Sequence, residues 1–210
     1  MFIPSYSQIV HKEIRERLKK MYFKRRKYFH VYSNDGNNYL SIHANGLHSY
    51  SSEFIMDIFV GVSIGSVNRL YAQLTERECD IETFIIGGQI GFIMPEQKYI
   101  QWRMNRAMPC TPYVDNMMES IQKYAFPYYE KMKDLNTMLN IVELRKGISN
   151  DRRDYYYPVM LYLAGRKEEG LRHIERVLDI ERYHGPNLER YMLFYNNYKK
   201  LLASGKEVSH

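Results

Sequence analysis

The chain has 210 residues, of which 45% are hydrophobic and 26% charged, a balance that excludes a disordered polymer and suffices for a buried core. No apolar run approaches the roughly 20 residues of a membrane-spanning helix, MFIPSYSQIVHKEI lacks the order of a secretory leader, and the only cysteines are Cys79 and Cys110, so a cytoplasmic protein with reduced thiols is expected. The net charge is +6, and residues 1–35 hold nine Lys/Arg against three Asp/Glu, which places the whole excess at the N-terminal end.

Ser5 and Gln8 have the spacing of a capping box, and Val10, Ile14, Leu18 and Tyr22 then recur at helical spacing, which predicts a helix to about Met21. Lys12, Arg15, Lys19 and Lys20 fall mainly on its wet sides. Period-two alternation follows, interrupted by NDGN at 34–37, where Asp35-Gly36 suits a two-residue hairpin loop. With that loop, Phe29, Val31, Leu40 and Ile42 share a core face, while Tyr28, His30, Tyr32, Tyr39, Ser41 and His43 share the other.

EFIMDIFVGVSI alternates without a break and reads as a long, largely buried strand, crossed by a helix through Val67, Leu70, Tyr71 and Leu74. TFIIGGQIGFIM puts Phe84, Ile86, Ile90, Phe92 and Met94 in phase as a fourth strand, and KYIQWRM offers a fifth. After Pro109 the period is helical. Thr111-Pro112 opens a helix that Pro127 should end or kink, Asp134 caps a second, and Gly147 stops it. RKGISNDRRD is the best linker candidate, and three short helices follow, at about 154–164, 166–182 and 187–203. The fold class expected is α+β: an antiparallel sheet of four to five strands flanked by helices over 1–146, with a C-terminal helical bundle over 147–210.

Two stretches resemble known families. The order of helix, basic-aromatic hairpin, long strand, short helix and strands, then AFPYYEKMKDLNTML with Pro127, Tyr128, Tyr129 and Glu130, resembles a family of bacterial domains of unknown function over about residues 8–145. That resemblance implies an α+β fold and a bacterial source, brings no catalytic residues, and through some members suggests an antidote or accessory protein found near toxin genes. VMLYLAGRKEEGLRHIERVLD is similar to a tetratricopeptide-type helix pair, with Gly165 as the turn and Gly170 as the small packing residue. It occurs once, which implies a docked helical hairpin instead of an array.

No motif carries a specific chemistry. None of the seven histidines is paired at i, i+4 or in HExxH, and neither cysteine lies in a CxxC, so no metal, cofactor or catalytic set is expected. His30 and His43 approach each other across the hairpin without a carboxylate beside them in sequence. Cys79 has acids on both sides, Cys110 has no identifiable base, and the glycines of IIGGQIGF alternate inside a strand pattern, as for a bulge or a close backbone approach.

Two binding surfaces remain. Twenty tyrosines and the face of Tyr28, His30, Tyr32, Tyr39 and His43 suit a protein partner, with Lys24, Arg25, Arg26 and Lys27 as a basic rim that would attract an acidic one. The alternative is nucleic acid, gripped by the same tetrad and the basic first helix with neighbouring rings for stacking. A non-enzymatic protein-binding module is the preferred expectation, nucleic-acid association the second; a membrane is not expected, and a homo-oligomer is compatible with the sequence.

Overall fold

The computed structural model describes residues 4–47 and 52–204. Helix α1 spans Tyr6–Lys20, and its capping box is formed: the Ser5 hydroxyl accepts from the Gln8 N–H at 3.3 Å while Gln8 accepts from the Ser5 N–H at 2.8 Å. Its end corrects one expectation. Tyr22 does not continue the apolar stripe but takes φ 65°, so that the Phe23 N–H bonds the Leu18 carbonyl and the Tyr22 N–H the Lys19 carbonyl, each at 3.0 Å. This is a Schellman closure, and it buries Phe23 in the place the helical period assigns to Tyr22.

The strands are β1 (Lys24–Arg25), β2 (His30–Tyr32), β3 (Asn38–Leu47), β4 (Glu53–Ile64), β5 (Ile86–Gln89) and β6 (Trp102–Asn105). They form an open antiparallel sheet in the order β1-β2-β3-β4-β5, with β6 also pairing β4. The basic tetrad is therefore an edge strand and a turn, closed by the Arg26 N–H on the Phe29 carbonyl at 2.8 Å. The β2–β3 register differs from that expected. His30 faces Ile42, Val31 faces Ser41 and Tyr32 faces Leu40, so paired numbers sum to 72, where a two-residue loop would make them 71.

The cause is the loop. Residues 33–37 connect the strands, folded around the Asp35 carboxylate, which accepts from the Asn37 and Asn38 N–H groups at 2.8 and 2.7 Å while Gly36 takes φ 71°. A one-residue slip turns every side chain of one strand to the other face relative to its partner. Tyr28, His30, Tyr32, Tyr39 and His43 therefore do not share a face: His30 and Tyr32 lie with Leu40 and Ile42, and Tyr39 and His43 alternate with those onto the side of Val31 and Ser41.

The long strand is as expected, with Phe54, Met56, Ile58, Val60, Val62 and Ile64 buried. The fourth is not. After Gln89 the chain leaves the sheet for a short turn at Ile90–Phe92, with Phe84 and Phe92 exposed. At Gly87 the backbone runs against Val60 so closely that a Cβ would overlap the Val60 carbonyl, which is the close approach the glycines suggested.

The chain divides into two compact units, Met1–Val62 with Gly87–Lys131, and Ser63–Ile86 with Met132–His210. This differs from the expected boundary at 146, because the segment after β4 groups with the later helices. In the first unit α1 packs on β1, β3 and helix α3 (Thr111–Ser120). Val10, Ile14 and Leu18 are buried, each contributing about 1.5–3 kcal/mol against leaving it in water. The helix does not stop at Pro127. A wider turn at Ile121–Ala125, closed by the Phe126 N–H on the Ile121 carbonyl, leads into α4 (Phe126–Met132) and absorbs the donor that proline lacks.

The second unit is helical: α2 (Gly65–Thr75), α5 (Leu135–Glu143), α6 (Asn150–Leu163), α7 (Lys167–Asp179) and α8 (Gly185–Ala203). Helix α2 packs on α6 and α8, and α6 on α5 and α7. Asp134 caps α5 by accepting from the Thr137 N–H at 2.8 Å. The stretch expected as a linker instead opens α6, four residues earlier than periodicity placed it.

Candidate anion-binding groove

In the first unit, one face of α1, the β1–β2 turn, β2 and the end of β3 enclose a groove of about 360 Å³ lined by residues 11, 14–15, 25–30 and 43–46. Helical spacing puts His11, Ile14 and Arg15 on one side of α1, and Ile14 is the buried member that seats the other two. Gly46 makes room beneath them: a Cβ there would stand 2.8 Å from Phe54 Cζ and 3.1 Å from His11 Nε2. The β1–β2 turn supplies Arg25, Arg26 and Lys27, and β2 and β3 supply His30 and His43.

The groove thus gathers four permanent cations and three imidazoles, and among the described residues no carboxylate lines it. Its electrostatics leave a mark on His30. Burial, then the positive charge of Arg25 and Arg15 and the rings of His11 and His43, push that imidazole down to about 4. Both of its ring nitrogens are sealed from solvent without a hydrogen-bond partner. His30 is a neutral wall of the groove, and the arginines and Lys27 carry its charge.

Of the sequence-predicted site residues, Arg25, Arg26, Lys27, Tyr28, His30 and His43 meet here. Lys24 precedes them on the edge strand but does not line the groove. Tyr28 is 66% exposed, with Lys27 Nζ 4.8 Å from its ring centre. Tyr32 is elsewhere, in a cluster with Phe23, Phe126 and Tyr129 at ring distances of 5.7, 5.0 and 6.0 Å. Tyr39 donates its hydroxyl to the Gly36 carbonyl at 2.8 Å and serves the loop.

Sequence reasoning missed His11 as a groove residue and had Arg15 only as one of the charges of the basic first helix, not singled out beside the tetrad. Their i, i+4 spacing on either side of a core position was the available signal. Cys79 is exposed and Cys110 buried, and among the described residues no three His, Cys, Asp or Glu side chains are grouped to hold a metal.

Fold and groove define an α+β protein whose sheet edge and first helix form a basic cleft, lined among the described residues by no carboxylate. Comparison with protein-family models, with curated proteins and with solved structures finds no match to this chain.

Proposed function

We propose that this protein is a non-enzymatic binding module whose groove takes the backbone of nucleic acid. The observation that carries the reading is the convergence of Arg15, Arg25, Arg26 and Lys27 from separate elements on one cleft that, among the described residues, no carboxylate lines. Cations held in such a cleft neutralise phosphates and release counterions. Tyr28, exposed at the same cleft, and Tyr22, 83% exposed just before the edge strand, add rings on which unpaired bases can stack, which favours a single strand.

An acidic protein partner, the preferred sequence expectation, would use the same charge. Its tyrosine surface, however, required the hairpin register that the Asp35 loop shifts.

The test is fluorescence anisotropy with a labelled single-stranded oligonucleotide. With three or four phosphates contacted, log affinity should fall against log salt with a slope of about −2 to −3. Replacing Arg25 and Lys27 together by Gln should reduce that slope and leave the fold intact, since both side chains are exposed. A salt-insensitive affinity, or equal binding of an acidic peptide of the same charge, would overturn the nucleic-acid reading.

A further inference from the structure

In the second unit, α2, the loop 77–83 and the first turns of α6 enclose a cavity of about 410 Å³, larger than the groove. Its walls combine aromatic rings with polar groups held in place. Asn68 is 2% exposed, and its amide N–H groups reach the Ile81 and Thr83 carbonyls at 3.1 and 2.8 Å, fixing the loop, while Oδ1 has no partner. Tyr156 is 5% exposed, stacked on Tyr71 at 4.6 Å between ring centres. Its hydroxyl makes no hydrogen bond with a described residue and is not among the sealed atoms.

Two guanidinium groups are held in place with donors to spare. Arg152 lies 4.7 Å from the Phe84 ring and 5.4 Å from the Tyr156 ring, donates one N–H to the Phe84 carbonyl, and keeps Nε without a partner. Arg77 donates to the Tyr71 hydroxyl at 3.0 Å. Ser149 gives the first turn of α6 no side-chain cap, so its N–H groups add to the attraction for an anion. Yet three carboxylates, Glu78, Asp80 and Asp151, line the same cavity. That of Asp80 accepts from the Glu82 N–H and the Thr83 hydroxyl at 3.0 and 2.8 Å and serves the loop, whereas Glu78, Asp151 and the two guanidinium groups are in no ion pair with a described residue.

A ligand of one sign would gain from one pair and be repelled by the other. A small molecule with an oxyanion at one end and an ammonium at the other satisfies both, the fork geometry of the guanidinium groups suiting a carboxylate. We propose that this cavity is a binding site for a small zwitterion of the amino-acid class, its carboxylate toward Arg77 and Arg152 and its ammonium toward Glu78 and Asp151.

The experiment is an NMR titration of the full chain with the ω-amino acids from glycine to 6-aminohexanoate, each beside the carboxylate and the amine of equal length. At least one zwitterion should bind about tenfold tighter than both of its single-charge counterparts, with amide shifts on α2, the loop 77–83 and α6. Arg77→Gln should reduce zwitterion and carboxylate binding alike, and the Glu78→Gln/Asp151→Asn pair should leave the zwitterion no better than the carboxylate. Because Arg152 also packs between rings, Arg152→Gln is read only beside the exposed Arg77→Gln. Equal affinity of zwitterion and single-charge probes, or shifts confined to other parts of the chain, would overturn the proposal.

Discussion

The Tyr191 hydroxyl donates to the backbone carbonyl of Asp154 at 3.2 Å, and that carbonyl is the one Pro158 leaves without its helical donor. Proline has no N–H, so a proline inside a helix strands the acceptor four residues earlier. Here Pro158 lies within α6, and fully buried Tyr191 on α8 meets the cost from a neighbouring element. Tyr191→Phe should therefore destabilise the protein by about 1–3 kcal/mol, the range for a buried polar group losing its partner. Pro158→Ala restores the missing donor, so Tyr191→Phe should cost less in that background. Urea denaturation of the four members of the cycle measures the coupling; additive costs would mean that the hydroxyl acts by packing alone.

Gly170 on α7 stands under another tyrosine of α8. A Cβ there would overlap the Tyr198 hydroxyl and lie 2.9 Å from Cζ and 3.1 Å from the Pro158 carbonyl. The hydroxyl cannot retreat, since Tyr198 is fully buried and donates to the Pro158 and Lys167 carbonyls at 3.3 and 3.0 Å. Gly170→Ala should lower stability by about 1–3 kcal/mol despite the better helix propensity of alanine. Adding Tyr198→Phe should recover part of that loss, and Gly88→Ala, with open space around it, serves as the neutral control. The readout is the thermal midpoint by circular dichroism.

Local chemistry made much of this fold legible. Ser5 with Gln8, Asp134, and the alternation from Phe54 to Ile64 each depend on residues within a turn or on one strand, and each forms as its pattern predicts. What failed depended on partners distant in sequence or on a side chain replacing backbone. The Asp35 carboxylate lengthens the hairpin loop and shifts its register. The Gln89 side chain bonds the Gly91 N–H at 2.8 Å and the Ile100 carbonyl, taking over where a strand ladder was expected. The tetrad of the groove was visible as a charge run, but His11 and Arg15 join it only through the tertiary fold, and the cavity beside Asn68 is assembled from residues some 70–90 apart.

The groove should make folding acid-sensitive. An unfolded histidine takes up its proton near 6.5, whereas His30 in the folded chain is pushed down to about 4 by burial and then by Arg25 and Arg15. Between those values the unfolded chain binds a proton that the folded chain refuses. Stability is therefore complete above about pH 6.5 and falls as the pH drops toward about 4. With the partly exposed ring discounted for screening, the loss is on the order of 1–2 kcal/mol. His30→Gln should flatten this limb when urea midpoints are compared across that window. His173, lowered first of all by burial, acts with the same sign, so a shallower slope should persist. A His30→Gln protein with the full slope would locate the sensitivity elsewhere.

Tyr22 couples strain to the proposed function. Its φ of 65° at the helix end is a conformation that glycine adopts without a Cβ penalty and that other residues occupy at a cost. The side chain recovers nothing by burial, being 83% exposed. Tyr22→Gly should thus raise stability by about 0.5–1 kcal/mol. If the ring is retained to stack on a bound base, the same substitution should weaken binding of a single-stranded oligonucleotide by about 1 kcal/mol or more without changing the salt slope, because stacking does not release counterions. Denaturation and anisotropy on one preparation separate the two effects. A variant that is more stable and binds as tightly as the parent would remove Tyr22 from the interface and leave the cations of the groove to act alone.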